Sequence, residues 1–386
     1  MARIGIDIRC LAEGRRTGVE EYTLNLLAHL FEIDKENEYV LFFNSFRSSK
    51  TDFSWLKKYS NASLKKFSFP NKLLNFLFWY LDWPKIDRMI GGADIIFMPN
   101  IIFGSVSRKT KLILTIHDLS FERYPETFSR KRRLWHIFIN TRKICRRADR
   151  IIAVSDSTKN DLESLYKIPS EKIQTIHSGI SDKFRIIDRN DEKLIKVKEK
   201  YNLPYKFILY LGTIEPRKNI VGIIKAFDQL QKFAEKNNLE EISKYKLVIA
   251  GSKGWMPKKI FSEIEKSACR DKIIRASFIA DEDKEYVFNL ASLFVYPSFF
   301  EGFGFPSLEA MRCGVPVIVS NNSSLPEVVG RAGILIDPDK PGEIYAAMKE
   351  IISNRELKEK LVAEGLKQAE KFNWKKTAEE FLEVLK

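Results

Sequence analysis

Short, continuously apolar runs rich in β-branched residues recur along this chain, spaced by segments of helix length. No other feature restricts its fold as much. The runs lie at Arg3–Ile8, Tyr39–Phe43, Asp94–Met98, Leu112–Ile116, Ile151–Val154 and Ile173–Ile176, then at Phe207–Leu211, Lys246–Ala250, Ile273–Phe278, Leu293–Tyr296 and Val315–Val319. A strand with one wet face alternates apolar and polar residues. A continuous run needs cover on both faces, as inside a parallel sheet flanked by helices. The segments between runs carry helical spacing: Val19, Tyr22, Leu26, Leu27 and Leu30 fall on one side of a helix. This alternation predicts an α/β chain of doubly wound sheets. Residues 181–204, SDKFRIIDRNDEKLIKVKEKYNLP, are charged, lack a buried-strand pattern and divide the runs into a set of about six and a set of about five. We read two Rossmann-like domains, 1–185 and 200–372, facing each other across a cleft, with residues 373–386 as a helix beyond the second sheet.

Composition narrows the class. A chain of 386 residues exceeds one ordinary core and suits two domains. With 44% hydrophobic and 30% charged residues it reads as globular, and no apolar run reaches the length of a membrane-spanning helix. The opening MARIGIDIRC enters a strand-like pattern at once, so no signal peptide is expected. The four cysteines, Cys10, Cys145, Cys269 and Cys313, are scattered, with no C-x-x-C pair and no nearby histidine pair. Neither a zinc site nor a disulfide framework follows, which favours a cytoplasmic location.

The net charge of +14 suits an anionic partner: nucleic acid, an anionic membrane surface or a phosphorylated substrate. Residues 129–150, SRKRRLWHIFINTRKICRRADR, interleave cations with Leu134, Trp135, Ile137, Phe138 and Ile144. Residues 71–86, NKLLNFLFWYLDWPKI, are aromatic and apolar with few charges. Two readings stand side by side. One is a pair of helices with a solvated basic face. The other is a patch that docks peripherally on anionic lipid headgroups at the inner face of the plasma membrane. No RNA-recognition or zinc-finger motif accompanies the charge, so nucleic acid is not an expected partner.

Ligands of open α/β sheets bind beyond the carboxyl ends of the strands, so the residues that follow each run are the candidates. After the first run, Thr17-Gly18-Val19-Glu20 matches a helix capping box, and Gly18 would let a ligand approach the first amides of the helix. The segment is not G-x-G-x-x-G, which argues against a nicotinamide site. His117 ends the run Leu112–Ile116 and is either a structural histidine or a partner for a substrate hydroxyl or proton. Ser155 reads as a helix cap, and Gly179 as a turn where the chain leaves the first half. After Phe207–Leu211 comes GTIEPRKNI, in which Gly212 makes a tight turn and Arg217 and Lys218 precede a helix start. Two cations there oppose the helix dipole, a conflict that an anionic diphosphate beside them would relieve. In GSKGW two glycines flank Lys253. In EGFGFPSLE, Pro306 suits the first helical position, and Gly302 and Gly304 free backbone amides to cradle an anion. Glu309 lies one turn into that helix, where its carboxylate can reach back to a ribose diol. Glu301 sits on the near side of the loop, placed for sugar hydroxyls or a developing positive charge.

The stretches YPSFFEGFGFPSLEAMRCGVPVIVS, NNSSLPEVVGRAGILIDP, LGTIEPRKN and FNWKKTAEEFLEVL resemble, in order and spacing, the retaining glycosyltransferases of family 4, which have the GT-B fold. The resemblance covers nearly the whole chain and is strongest from about residue 205 onward. It implies a nucleotide-sugar donor, no bound metal or other cofactor, and transfer with retention of anomeric configuration. It places Glu309 on the nucleotide ribose and Glu301 on the donor sugar. It sets Gly212, Thr213, Lys253 and the amides of Phe303, Gly304 and Phe305 around the donor, and Arg217 and Lys218 on the leaving diphosphate. It puts His117 near the transferred sugar and Thr17 and Gly18 near the acceptor, and returns the helix 373–386 to the first domain. Many members carry Arg where this chain has Thr213, so the division of labour between Arg217 and Lys218 stays open. GTIEPRKN together with HDLSFERYPETFS looks most like bacterial mannosyltransferases of surface polysaccharide assembly. That points to GDP-mannose as donor and a saccharide or polyprenyl-linked saccharide as acceptor. The alternatives are a UDP-sugar-dependent transferase of the same family, a sugar-nucleotide epimerase that needs no acceptor, or a nucleic-acid-binding protein.

Overall fold

The computed structural model describes residues 1–13, 17–46 and 51–386. The chain forms two compact units, one of residues 1–119, 130–179 and 373–386, the other of residues 120–129 and 180–372. The first unit thus ends at Gly179, short of 185, and the second takes up residues 180–199 and a ten-residue segment from the first half of the chain. That segment is held by aromatic contacts within the second unit. Trp255 donates its indole N–H to the Thr127 carbonyl at 2.6 Å, its ring lies 5.5 Å from Phe128, and Tyr124 lies 5.9 Å from Phe300.

The first sheet has seven strands: β1 Arg3–Asp7, β2 Glu38–Asn44, β3 Ala62–Phe67, β4 Ile95–Met98, β5 Lys111–Ile116, β6 Arg150–Ala153 and β7 Ile173–Thr175, in the order β3-β2-β1-β4-β5-β6-β7. The second has six: β8 Phe207–Leu211, β9 Lys246–Ala250, β10 Ile273–Ala276, β11 Leu293–Tyr296, β12 Val317–Ser320 and β13 Gly333–Ile336, in the order β10-β9-β8-β11-β12-β13. Both are parallel and both reverse direction beside their first strand, the doubly wound topology. Each sheet exceeds the sequence expectation by one edge strand. β3 reads ASLKKF and stays partly exposed along its length, and β13 reads GILI with only Ile336 buried. An edge strand needs no cover on both faces, so neither shows the continuous apolar run that marks a central strand.

Each sheet is covered by helices whose inward residues meet in its own core. Tyr22, Phe31, Phe42 and Phe97 are fully buried in the first unit, and Phe207, Tyr210, Phe227, Phe288 and Phe294 in the second. The last helix, Trp374–Leu385, packs on helix Gly18–Ile33 of the first unit. Phe381 lies 4.6 Å from Phe97, and Thr377 donates to the His177 carbonyl at 2.8 Å. Gly179 is what lets this helix seat. A Cβ there would lie 2.2 Å from the Trp374 amide nitrogen. Its role is close backbone approach, not the turn expected from sequence.

Residues 71–86 and 129–150 are each interrupted rather than single helices. The first divides into a helix Asn71–Phe76, a wider π-type turn Leu77–Leu81 and a helix beginning at Ile86. The second divides into Arg130–Ile139 and Thr141–Arg147 at Asn140, whose φ of 51° ends one helix while its side chain caps the next. Gly179→Ala is expected to lower stability by about 1–3 kcal/mol, because the added methyl meets backbone that cannot move cheaply. Urea denaturation of the full chain checks this.

Candidate functional site

The loops after β8 and β11 converge in the second unit and build its most highly charged buried cluster among the described residues. Gly212 follows β8 directly, and its amide donates to the Ala250 carbonyl at 3.0 Å. The hydroxyl of Tyr210 donates to the Thr213 carbonyl at 2.9 Å. Pro216–Lys218 form a single tight turn, and Asn219, at φ 53°, caps helix Ile220–Lys236 through its side chain. After β11, Phe299 donates its amide to the Arg217 carbonyl at 2.9 Å, and the Arg217 guanidinium donates back to the Phe300 carbonyl. The two loops therefore brace each other through one backbone bond and one bond from a charged side chain to backbone.

Three of the four expected catalytic residues meet here. Lys218 donates to a Glu301 carboxylate oxygen at 2.6 Å and to the Tyr296 hydroxyl at 2.7 Å. Arg217 lies 3.3 Å from the other Glu301 oxygen and 3.0 Å from Glu215. Lys218, Glu301 and Glu215 are all buried. Burial alone would raise the Glu301 carboxyl, but the charges of Lys218 and Arg217 outweigh it and hold it at about 2. Burial and the Arg217 charge lower Lys218, with Glu301 and Glu215 opposing. Burial pushes Glu215 up against the pull of Arg217 and Lys218. Glu301 is thus bonded into a cation cluster rather than held out on the near side of the loop.

The loop itself is rigidly set. Ser323 accepts from the Glu301 amide at 3.0 Å, and Ser324 donates to the carbonyls of Glu301 and Phe303, each at 3.0 Å. Gly304 sits at φ 101° and caps helix Phe305–Arg312, a conformation that L side chains rarely adopt. Phe305 rather than Pro306 is the first helical residue. Phe303 is buried, its ring 5.2 Å from Phe305 and 5.8 Å from Phe372. Glu309 is buried one turn into the helix, and Lys253 is exposed after β9 with its ammonium 5.4 Å from the Phe261 ring.

The remaining candidates lie in the first unit. His117 follows β5, and its Nε2–H donates to the Pro99 carbonyl at 2.8 Å, which leaves Nδ1 as the acceptor nitrogen. Burial lowers its pKa against the Pro99 bond and Asp118, so the ring is neutral. Tyr22 packs edge-on against it at 4.8 Å. Thr17 caps the helix Gly18–Ile33, with the Thr17 amide donating to Glu20 at 2.7 Å, and Gly18 is exposed in its first turn. Ser155 caps helix Asp156–Tyr166 by accepting from the Thr158 amide at 3.1 Å. Tyr296 and the Ser323–Ser324 pair carry no signal in the sequence that singles them out, because their roles arise from partners on other loops. Glu215 alone had a cue, an acid two residues before Arg217.

The family model for glycosyl transferases group 1 matches residues 191–368, and that for glycosyltransferase family 4 matches residues 16–184. Over 268 residues the chain is 35% identical to the O-antigen chain mannosyltransferase B of Escherichia coli, covering 69% of this chain and 68% of that one. It is 33% identical over 270 residues to the serotype-specific mannosyltransferase WbdA of Escherichia coli, 69% of this chain but 32% of that longer protein. Among solved structures, sucrose-phosphate synthase from Thermosynechococcus elongatus matches with a TM-score of 0.75 at 18% identity, covering 100% of this chain and 98% of that one. Anabaena HepE in complex with UDP and glucose matches with a TM-score of 0.72 at 16% identity, covering 100% of this chain and 99% of that one. The protein is a glycosyltransferase with the GT-B fold. It belongs to glycosyltransferase family 4, alongside the mannosyltransferases of O-antigen synthesis that it resembles.

Replacing Glu301 by Gln leaves buried Lys218 and largely buried Arg217 without their shared counter-charge, at an expected cost of about 3–5 kcal/mol. The Glu301 carboxyl is held below its ordinary 4.5 in the folded chain, so the pair's contribution is complete above that pH and is lost as pH falls toward about 2. Urea denaturation of wild type and Glu301→Gln should therefore show a stability gap that is constant near neutrality and closes only below pH 4.5.

Proposed function

We propose that this glycosyltransferase moves a hexose, mannose from GDP-mannose, onto a saccharide or polyprenyl-linked saccharide in the assembly of a surface glycan, with retention at the anomeric carbon and without a bound metal. The observation that carries the reading is the pair of largely buried Arg217 and buried Lys218 beside Glu301, on the loop that runs into the Gly304 helix start. The mannosyl donor rests on the relatives, which are named as O-antigen mannosyltransferases.

Lys218 spends two of its three N–H donors on Glu301 and Tyr296. The third is the one it offers to a phosphate oxygen. The leaving diphosphate gathers negative charge as the sugar–oxygen bond breaks. Donors already fixed in place stabilise that charge without reorganising at the moment of reaction. This is the service a divalent ion would otherwise supply. Glu301 keeps the cations compensated before the donor arrives and accepts from sugar hydroxyls when it is bound. Glu309 holds the ribose diol, and Gly212, Thr213, Lys253 and the amides of Phe303, Gly304 and Phe305 line the donor. His117, neutral and with Nδ1 as acceptor, receives a hydrogen bond from the transferred sugar, while Thr17 and Gly18 border the acceptor. The acceptor oxygen bonds to the anomeric carbon on the face the diphosphate leaves. The bond from that carbon to the phosphate oxygen breaks, and the acceptor proton passes to the departing phosphate.

Lys218→Met keeps the packing but removes the donor, and is expected to reduce kcat about 100-fold or more. Turnover near the wild-type rate would remove Lys218 from the mechanism. EDTA should leave wild-type turnover unchanged. The donor is tested by thermal shift, where GDP at about 100 times its Kd should add about 2.7 kcal/mol. A larger shift with UDP would reassign the nucleotide. Proton NMR of the product, with the anomeric configuration of the donor preserved, checks retention. A converted sugar nucleotide formed without acceptor would make the enzyme an epimerase.

A further inference from the structure

The two cations of the cluster are aimed by different means. A guanidinium is a planar fork, so the bonds of Arg217 to Glu215 and to the Phe300 carbonyl set its orientation. An ammonium is a point charge on a flexible stem, and a single bond leaves it free to turn about that bond. Lys218 has two bonds, to Glu301 at 2.6 Å and to the Tyr296 hydroxyl at 2.7 Å. The second bond stops the turning and gives the third N–H one direction.

Tyr296 is itself firmly held. It is the last residue of β11 and is 2% exposed. Its ring lies nearly parallel to those of Phe294 at 5.7 Å and Tyr210 at 6.1 Å. Tyr210, in β8, is pinned in turn by its hydroxyl bond to the Thr213 carbonyl. Burial and the Glu301 charge raise the Tyr296 phenol well above its ordinary value, so the hydroxyl keeps its proton and stays neutral.

We infer that Tyr296 is a positioning residue for the transfer, its neutral hydroxyl aiming the Lys218 ammonium at the leaving diphosphate. Glu301 holds the same ammonium, but through a charge that offsets the one it holds. A phenol oxygen fixes the direction and leaves the positive charge to the phosphate. In the proposed mechanism Glu301 also accepts from sugar hydroxyls, which makes Tyr296 the anchor that keeps one partner throughout. The inference rests on the reading of Lys218 as a cation of the leaving group. It does not depend on the sugar or the base.

Calorimetric titration of the full chain with GDP and with UDP tests it, because each carries the charge of the leaving group. For the nucleotide that wild type binds more tightly, Tyr296→Phe should weaken binding about tenfold. The substitution keeps the ring and its stacking partners, so the variant should melt close to wild type. Lys218→Met should weaken binding at least as much. Adding Tyr296→Phe to Lys218→Met should cost nothing further, since Tyr296 acts through the lysine. That double variant should fold at least as well as Lys218→Met, because it leaves no tyrosine hydroxyl without its partner. NMR of the lysine side chains gives a second readout, with Lys218 identified by its loss in Lys218→Met. Burial and Arg217 lower the Lys218 pKa against Glu301 and Glu215. Loss of an acceptor for the charged form should lower it by about one further pH unit in Tyr296→Phe. Tyr210→Phe removes a neighbouring buried hydroxyl that bonds Thr213 instead, and should leave the lysine titration in place. Wild-type binding in Tyr296→Phe, an equal loss from Tyr296→Phe with and without Lys218, or an equal lysine shift in Tyr210→Phe would each overturn the inference and leave the proposed mechanism standing. Undiminished binding in Lys218→Met, or no nucleotide binding by wild type, would overturn both.

Discussion

A carboxylate held between a buried lysine and a largely buried arginine organises the second unit. Glu301 stands within 3.3 Å of both Lys218 and Arg217, and all three side chains are largely removed from water. Charges withdrawn in this way cost several kcal/mol each unless they are paired and hydrogen-bonded. The surrounding structure meets that demand. Tyr296 and Glu215 bond the cations, Ser323 and Ser324 bond the loop that carries Glu301, and Arg217 accepts from the Phe299 amide and donates through its guanidinium to the Phe300 carbonyl. The cluster is a stored charge pattern in which each cation has an acid beside it.

Seen this way, the two acids of EGFGFPSLE do different work. Glu309, inside the helix that Gly304 caps, is a buried hydroxyl acceptor in the proposed donor site. Glu301 is first a counter-charge and only in the proposed donor site a sugar contact. Its low pKa follows from that first task, since two cations outweigh the burial that would otherwise raise it. The bond to Lys218 also couples the sugar-binding and phosphate-binding ends of the proposed site, so a change of sugar pose at Glu301 is felt at the lysine.

The first unit answers a different demand. Its core is complete with Tyr22, Phe31, Phe42, Phe97 and the returning Phe381, and the close approach at Gly179 lets the last helix supply that final ring. The aromatic and basic surface around Trp79 and Phe138 lies outside this economy.

Much of this was legible in the sequence, and the limits have physical causes. Central strands announce themselves because burial on both faces demands continuous apolar runs, and strand-end loops are where a doubly wound sheet exposes backbone. From these the α/β class, the two sheets and the candidates Arg217, Lys218, Glu301 and Glu309 could be read. The edge strands β3 and β13 could not, since one side of an edge strand needs no cover. Nor could the purpose of Gly179, which depends on Trp374 nearly two hundred residues away in the chain. The sequence by itself determined which residue types stand at the ends of which strands, because local periodicity is enforced by burial. Only the tertiary structure decided that Glu301 is bonded to Lys218 and Arg217, that Tyr296 and Glu215 complete the cluster, and that Trp79 meets Phe138. Such pairings depend on distances between loops far apart in the chain, and those distances exist only once the sheet has brought the strand ends together.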